Sequence, residues 1–231
     1  MWSTVELLEA IAAGLGEHER ALAREQAVYG LDALSEVELH PLIASSLERS
    51  GWQVVRECVY PGDAEVKRSA RDRCDLVLAP EGASGVRDPV RERQLSEGTL
   101  FAECPIRGEE ADAEDAYWLE VKTVGQWGLT HGVCCANAGY AAELRGLVED
   151  LGKLGRDPVI RFGGVLVVLF TETEAAGAHD LDVVVHQALD RGLPAGVPER
   201  SGFAMTDRLG NAWCTVAIVP ARCTRWMERL G

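Results

Sequence analysis

Two carboxylates and a lysine form the pattern in this sequence that is best suited to chemistry. Glu120 and Lys122 are separated by one residue in the β-rich segment Tyr117–Val124, and Asp75 opens an earlier apolar segment. Alternate side chains of a strand share a face, so Glu120 and Lys122 project together while Val121 points the other way. Two neighbouring carboxylates repel each other unless a divalent cation lies between them. Such oxygen ligands suit Mg²⁺ or Mn²⁺, and a nearby lysine can hold a water or stabilise negative charge on a phosphate.

The apolar spacing predicts the elements that must carry these side chains. Ser35 is expected to cap a helix, with Glu38 closing a capping box, although Pro41 leaves open whether that helix begins a turn later or is kinked. Segment 180–191 alternates at first and then has a helical pattern. Helices are expected over residues 4–28, 35–50 and 139–155, strands over 52–60, 74–79, 117–124 and 159–170, and a hairpin over 201–220. This order predicts the α/β class, with a mixed sheet flanked by helices and preceded by an N-terminal helical arm.

Charge narrows the classes of function. The chain of 231 residues has 37 Asp and Glu against 23 Lys and Arg, a formal net charge of −14. Such acidity argues against a histone-like protein or a polybasic membrane binder. It also disfavours tight unaided binding to nucleic acid, because phosphate contacts need clustered cations. Only three of the basic residues are lysines, Lys67, Lys122 and Lys153. Because lysine is this rare, its position two residues after Glu120 favours a functional role over an ordinary surface charge.

The cysteines and the N-terminus indicate a reducing compartment. Seven cysteines occur without any CxxC spacing, so neither a disulfide framework nor a zinc ribbon is predicted, and reduced cytoplasmic thiols are expected. His131 lies near Cys134 and Cys135, but the four recurring ligands of a metal site are missing, and a packed loop is predicted there. The N-terminus lacks the basic region of a secretory signal, and the longest apolar run, Val165–Phe170, is too short to span a bilayer.

Two segments, Cys74–Leu78 and Trp118–Thr123, resemble the PD-(D/E)XK nuclease superfamily, which has the restriction-endonuclease-like fold. A helix containing Glu36 and then a strand precede them, as in that superfamily. Downstream, segment 149–154 resembles the helix that packs behind the sheet. The resemblance covers about residues 35–170 and implies a restriction-endonuclease-like mixed sheet.

This resemblance implies a role for each residue of the central pattern. Asp75 and Glu120 would hold Mg²⁺ or Mn²⁺, with the backbone carbonyl of Val121 as a third ligand. Lys122 would orient the attacking water and stabilise the transition state. A different interpretation of the same side chains is a surface ion-pair ladder on an edge strand, without catalysis.

The resemblance also implies roles for residues on the flanking helices. Glu36 would contact metal-bound water or a second metal, and Glu38 is the rival for that role because Pro41 leaves the helix phase open. Lys153 would touch the scissile or a neighbouring phosphate. His40 lies one turn after Glu36 and could flank the site, but a histidine on the helix surface is the default expectation.

A single domain over residues 1–231 is predicted, with four parts. These are a helical arm at 1–34, a nuclease-like core at 35–170, an acidic insertion at 80–116 within that core, and a C-terminal helix and hairpin at 171–231. The insertion separates the two metal-binding strands and carries ten acidic residues against four arginines. A solvated loop or partner contact is expected there, and the sharper alternative is an acidic lid that keeps nucleic acid out.

The predicted function is a Mg²⁺-dependent nuclease that hydrolyses phosphodiester bonds, with DNA as the expected substrate and endonuclease as the expected mode. The family suggests a restriction, defence or repair setting. Because the chain is acidic, DNA recognition is expected to need a homodimer with a shared basic groove or a partner subunit. One alternative is a non-catalytic PD-(D/E)XK-like binding or assembly module that acts with a partner protein. An unrelated α/β protein is the third interpretation.

Overall fold

The computed structural model describes residues 2–63, 72–87 and 110–222. Lys67 and most of the predicted acidic insertion lie outside these residues. The helices are α1 (Thr4–Arg24), α2 (Glu36–Arg49), α3 (Tyr140–Leu144), α4 (Gly146–Arg156) and α5 (Glu174–Asp190). The strands are β1 (Gln53–Val59), β2 (Arg73–Ala79), β3 (Gly85–Val86), β4 (Glu110–Ala111), β5 (Tyr117–Gly125), β6 (Trp127–Thr130), β7 (Val133–Ala136), β8 (Phe162–Thr171), β9 (Glu199–Ala204) and β10 (Trp213–Arg222).

A six-stranded mixed sheet forms the centre of the molecule, in the order β1-β2-β5-β8-β10-β9. Strands β5 and β8 run parallel, and every other neighbouring pair in this sheet is antiparallel. A parallel pair needs a crossover connection, and here the chain between β5 and β8 contains α3 and α4. The prediction of an α/β chain with a mixed sheet flanked by helices is confirmed.

Helices α1 and α2 cover one face of the sheet. Their apolar stripes recur at helical spacing, with Leu7, Ile11 and Leu15 on α1 and fully buried residues such as Ile43 on α2. These stripes pack against alternate residues of the central strands, among them Leu119. Helix α1 was predicted as an arm, and it contributes to this buried layer.

Helices α4 and α5 cover the opposite face. Leu147, Leu151 and Leu154 of α4 pack with Trp118 and with the other strand residues that point to this side. The central strand β8 is buried on both faces, which its continuous apolar sequence predicts. Within the described residues, no helix combines the length and the apolarity that a membrane crossing requires.

The start of α2 confirms the predicted cap. The Ser35 hydroxyl accepts a hydrogen bond from the Glu38 N–H, and the Glu38 side chain accepts one from the Ser35 N–H, which completes the capping box. Helix α2 therefore begins at Glu36, and Pro41 lies inside it. The cap thus fixes the helix phase that the sequence left open.

Three elements differ from the sequence predictions. Helix α5 begins at Glu174 rather than near 180, because the Thr173 hydroxyl caps it by accepting from the Ala176 N–H. The single helix expected over 139–155 is two helices, α3 and α4. Instead of a packed loop, residues 127–136 form the antiparallel hairpin β6–β7, in which Cys134 is exposed.

A buried ion pair fastens α1 to the C-terminal part of the sheet. Glu19 of α1 and Arg208 of the β9–β10 connection form it at 2.6 Å, and their side chains are 3% and 8% exposed. The same carboxylate accepts hydrogen bonds from the backbone N–H groups of Leu31 and Thr206. Such satisfied partners are what a buried charge requires.

Candidate active site

The site forms where β2 and β5 separate. These strands pair only from Leu76 to Leu78 on β2, so the edge of β5 beyond this point lacks β2 as a partner. Two carboxylates take its place: Asp75 Oδ2 accepts from the Val121 N–H at 2.8 Å, and Glu36 Oε2 accepts from the Thr123 N–H at 2.8 Å. The backbone of β5 thereby fixes both acids, which satisfies N–H groups that would otherwise lose their pairing.

Glu120 is the buried acid of the site, with 4% of its surface exposed. Its Oε1 accepts a hydrogen bond from the Tyr60 hydroxyl, and its carboxyl group is in hydrogen-bond contact with Asp75. Burial raises the pKa of Glu120 to about 8; the Tyr60 hydrogen bond opposes this shift, and the charges of Asp75 and Asp150 add to it. Because two neighbouring carboxylates repel each other, a proton or a cation is needed between Asp75 and Glu120.

The donor set at this point consists of oxygen atoms. Asp75 and Glu120 supply carboxylates, and the Val121 N–H points at Asp75. In an antiparallel strand the N–H and C=O of one residue face the same neighbour, so the Val121 carbonyl faces the same edge. Hard divalent cations prefer such ligands, and the donor set fits Mg²⁺ or Mn²⁺.

Lys122 is held between two acids on the α4 side of the sheet. Its Nζ lies 3.5 Å from Glu36 Oε2 and 3.5 Å from Asp150 Oδ2. Burial alone would lower the pKa of Lys122, but the charges of Asp150 and Glu36 outweigh it and raise that pKa. A Cβ added at Gly146 would lie 3.4 Å from the Lys122 Cε, an ordinary van der Waals distance, so this glycine leaves open space beside the lysine stem. Lys122 is thus a positioned ammonium that stays charged at neutral pH.

Lys153 reaches the same network through Asp150. Its Nζ lies 3.0 Å from Asp150 Oδ1, so one carboxylate pairs with both Lys153 and Lys122. Burial would lower the Lys153 pKa, while the hydrogen bond and charge of Asp150 outweigh it and raise that pKa. Lys153 also lines a cavity of about 150 Å³ together with Tyr60 and Arg156. Two cations therefore border the cavity next to the acid cluster.

The structure brings most of the predicted site residues together. Asp75, Glu120, Lys122 and Glu36 form one contiguous cluster, and Lys153 joins it through Asp150.

The structure decides two expectations that the sequence left open, one for the residue given the role and one against the default. Glu38 caps its own helix and lies away from the cluster, so the helix carboxylate of the site is Glu36. His40 is 6% exposed, so the expectation of a surface histidine is wrong. It is buried because this face of α2 packs on the sheet.

Sequence reasoning missed Tyr60 and Asp150. Asp150 is 6% exposed and stands three residues after Leu147 and four before Leu154, on the apolar face of α4. A charged residue at apolar helix spacing is a signal that could have found it. Tyr60 follows the last residue of β1 and stacks on Trp118 at 6.0 Å between ring centroids. No spacing rule links Tyr60 to Glu120, so only the fold reveals this contact.

The raised pKa of Glu120 predicts how the metal-free protein responds to pH. Its pKa is raised from 4.5 to about 8, so the folded state keeps a proton that the unfolded state has lost. The free energy of unfolding should therefore fall as pH rises between these values, by up to about 1.4 kcal/mol per pH unit from this group. Urea denaturation in EDTA at about pH 5.5, 6.5 and 7.5 measures that slope.

The variant Glu120→Gln removes this titration and should flatten the slope. Glu149→Gln is the matched control, because Glu149 is an exposed glutamate on α4 and should leave the slope as in the wild type. Equal slopes for wild type and Glu120→Gln would contradict the assignment of this proton to Glu120.

The geometry defines a cluster of acids and lysines, but it does not by itself assign the chain to a protein family. The likeness to nucleases stated above depends on residues 74–78 and 118–123 and on the elements around them. Comparison of the chain with protein-family models, with curated proteins and with solved structures gave no match.

Proposed function

We propose that this chain is a divalent-metal-dependent nuclease of the PD-(D/E)XK type, with DNA as its substrate. The observation that carries the proposal is the contact between the carboxyl groups of Asp75 and Glu120, with Lys122 two residues further along the same strand. Two buried or half-buried acids in contact are unfavourable without a proton or a cation between them. At neutral pH a divalent cation bound between the two acids would offset their repulsion and would also serve catalysis.

Asp75, Glu120 and the Val121 carbonyl would hold Mg²⁺ or Mn²⁺. When bound, such a cation polarises a phosphoryl oxygen and lowers the pKa of a water ligand. Tyr60 acts as a positioning residue, because its hydroxyl donates to Glu120 Oε1. Burial raises the Tyr60 pKa, and the charges of Cys74 and Glu120 add to that shift, so this hydroxyl remains a donor at neutral pH.

Lys122 would hold the attacking water and offset the negative charge that develops on the phosphate. Glu36 and Asp150 lie on either side of its ammonium group and limit its movement. Because Glu36 also accepts the Thr123 N–H, its carboxylate is anchored to the strand that carries Lys122. Preorganised charges of this kind need no rearrangement during the reaction.

The order of the elements supports the same proposal. The sequence helix α2, strands β1, β2 and β5, helices α3 and α4 and strand β8 follows the order that the nuclease resemblance implies for residues 35–170. In that order the antiparallel strands β2 and β5 carry the acids, and α4 presents Lys153 on the face where Lys122 lies.

The substrate is proposed from the charges beside the cluster. Lys153 and Arg156 border the cavity next to Tyr60, and two cations one turn apart on α4 suit consecutive phosphates. The net charge of −14 opposes unaided binding to a long duplex. A homodimer with a shared basic groove, or a partner subunit, would then supply recognition, and a cytoplasmic restriction, defence or repair setting is consistent with this.

The test is cleavage of supercoiled plasmid and of single-stranded DNA by EDTA-treated protein after addition of Mg²⁺ or Mn²⁺. Cleavage should require the cation and should disappear in Asp75→Asn, which removes a charged ligand. Glu81→Gln is a matched control, since Glu81 is an exposed acid after β2. Cleavage that persists in EDTA or in Asp75→Asn would contradict the proposal.

A second candidate function is a non-catalytic binding or assembly module with the same fold. The net charge of −14 favours it, because this charge repels free nucleic acid. Cation binding without cleavage of any DNA or RNA substrate, alone or with a copurifying partner, would favour this module over the nuclease.

A further inference from the structure

We infer that the chain holds a second cation site, formed by His40, Glu57 and Asp75, that takes a first-row divalent transition metal. The residues come from three elements: α2, β1 and β2. One imidazole nitrogen of His40 and one carboxylate oxygen each of Glu57 and Asp75 lie within 4.8 Å of one another. Three ligand atoms at such separations can converge on one ion, because metal–ligand bonds to these donors are about 2.0–2.3 Å long.

The buried imidazole of His40 distinguishes this group from an ordinary cluster of acidic residues. His40 is 94% buried, given its 6% exposure, and among the described residues its Nε2 has no hydrogen-bond partner. A buried polar atom without a partner is costly. A bound cation satisfies such a nitrogen, and imidazole is the commonest side-chain ligand of transition metals.

Strands β1 and β2 are distorted where the two acids lie. The ladder between them pairs the residues on either side of Glu57 and Asp75 but skips this pair. Glu57 has φ of +57°, which glutamate rarely adopts. Cys74 and Leu76 are two residues apart, yet they pack on opposite faces of the sheet, which a regular strand does not allow. This distortion brings the Glu57 carboxylate to His40 and Asp75.

The donor set predicts which class of cation binds. Mg²⁺ prefers oxygen ligands in an octahedral arrangement and usually retains several waters. One imidazole with two carboxylates suits Mn²⁺, Fe²⁺, Co²⁺ or Zn²⁺ better. Asp75 also contacts Glu120, so its carboxylate stands between this site and the proposed catalytic site. Paired metal ions lie about 3.5–4 Å apart, a separation that one carboxylate can span with its two oxygens.

The experiment uses Mn²⁺ added to the EDTA-treated full-length chain, observed by pulsed electron paramagnetic resonance. Coupling of Mn²⁺ to a directly bound imidazole ¹⁴N is expected in the wild type. It should be lost in His40→Gln and retained in His179→Gln, which alters an exposed histidine on α5. Absence of ¹⁴N coupling in the wild type, or its survival in His40→Gln, would overturn the inference.

Because His40 is buried and its replacement could disturb folding, Glu57→Gln provides a second measurement. Glu57 is exposed, and loss of its charge should weaken Mn²⁺ binding at the ¹⁴N-coupled site at least about tenfold. Glu48→Gln is the matched control, since Glu48 is an exposed acid on α2. Equal Mn²⁺ affinity in Glu57→Gln and wild type would overturn the assignment of Glu57.

This inference can be separated from the proposed nuclease function. Glu120→Gln alters the proposed catalytic site but none of the three ligands, so the ¹⁴N coupling should remain. Its loss in Glu120→Gln would mean that one cation is shared and that no second site exists. Imidazole coupling in a wild-type protein that cuts no nucleic acid would support this site and contradict only the nuclease function.

Discussion

Replacing Lys122 with alanine is expected to reduce metal-dependent DNA cleavage by about 10³-fold or more. The ammonium lies between Glu36 and Asp150, so it is positioned before the substrate arrives. Removing one preorganised group that stabilises developing charge typically lowers turnover by about 10²–10³-fold. Lys122 would in addition orient the attacking water, so the loss should lie at or above the upper end of that range.

The measurement is single-turnover cleavage of plasmid DNA with saturating Mn²⁺. Arg49→Ala is the control, because it removes a cation whose side chain is 61% exposed and whose ion pair within the described part of the chain is with exposed Glu17 on α1. That variant should cut at the wild-type rate. Cleavage by Lys122→Ala within about tenfold of the wild type would place the reactive centre elsewhere. Thermal unfolding must show that the variant is folded.

Lys122→Arg separates charge from geometry. Arginine keeps the positive charge, but its planar fork differs from a compact ammonium. The broader guanidinium cannot place its charge at the position of the compact ammonium between Glu36 and Asp150. We expect Lys122→Arg to fold and to remain impaired by at least about tenfold. Wild-type activity in Lys122→Arg would mean that charge alone is sufficient.

The sequence predicts those parts of the site that local rules govern. Alternation in β5 puts Glu120 and Lys122 on one face, and the capping box at Ser35 fixes the phase of α2. Once that phase is known, Glu36 rather than Glu38 faces β5. The alternation and the capping box need only neighbours within a few residues, so spacing and residue type predict them. The choice of Glu36 over Glu38 needed the observed start of α2 and the contact of Glu36 with the Thr123 N–H.

The remaining parts depend on contacts between distant segments. Tyr60 meets Glu120 across 60 positions of sequence, and the burial of His40 follows from the packing of α2 on the sheet. Glu57 has a positive φ, a conformation that a sequence usually signals with glycine, and no glycine occupies this position. Sequence spacing carries no information on contacts between residues so far apart in the chain.

Asp150→Asn tests the contact that the sequence reasoning missed, and it should affect both stability and catalysis. Asp150 is 6% exposed and pairs with Lys122 and Lys153. Breaking a buried pair by removing one partner costs about 3–5 kcal/mol, and the cost here should be nearer about 2 kcal/mol because both lysines are partly exposed. For a chain of this size, that lowers Tm by about 4–8 °C.

The sign of the pH effect follows from the two lysines. Asp150 raises the pKa values of Lys122 and Lys153 against the lowering effect of burial. Its stabilisation is therefore present at neutral pH and is lost as pH rises through the folded-state pKa values of the lysines. In Asp150→Asn those pKa values fall, and the alkaline limb of cleavage should move to lower pH. A purely structural Asp150 would lower Tm without moving that limb.

Glu149→Gln is the matched control for Asp150→Asn, because it removes an acid from the adjacent, exposed position of the same helix. It should leave both Tm and the pH profile of cleavage as in the wild type. An Asp150→Asn variant with an unchanged pH profile would mean that Glu36 alone keeps Lys122 charged, since Glu36 is the remaining acid paired with that ammonium in the described residues. The two carboxylates would then have separate tasks, with Asp150 holding α4 against the sheet and Glu36 controlling the charge of the lysine.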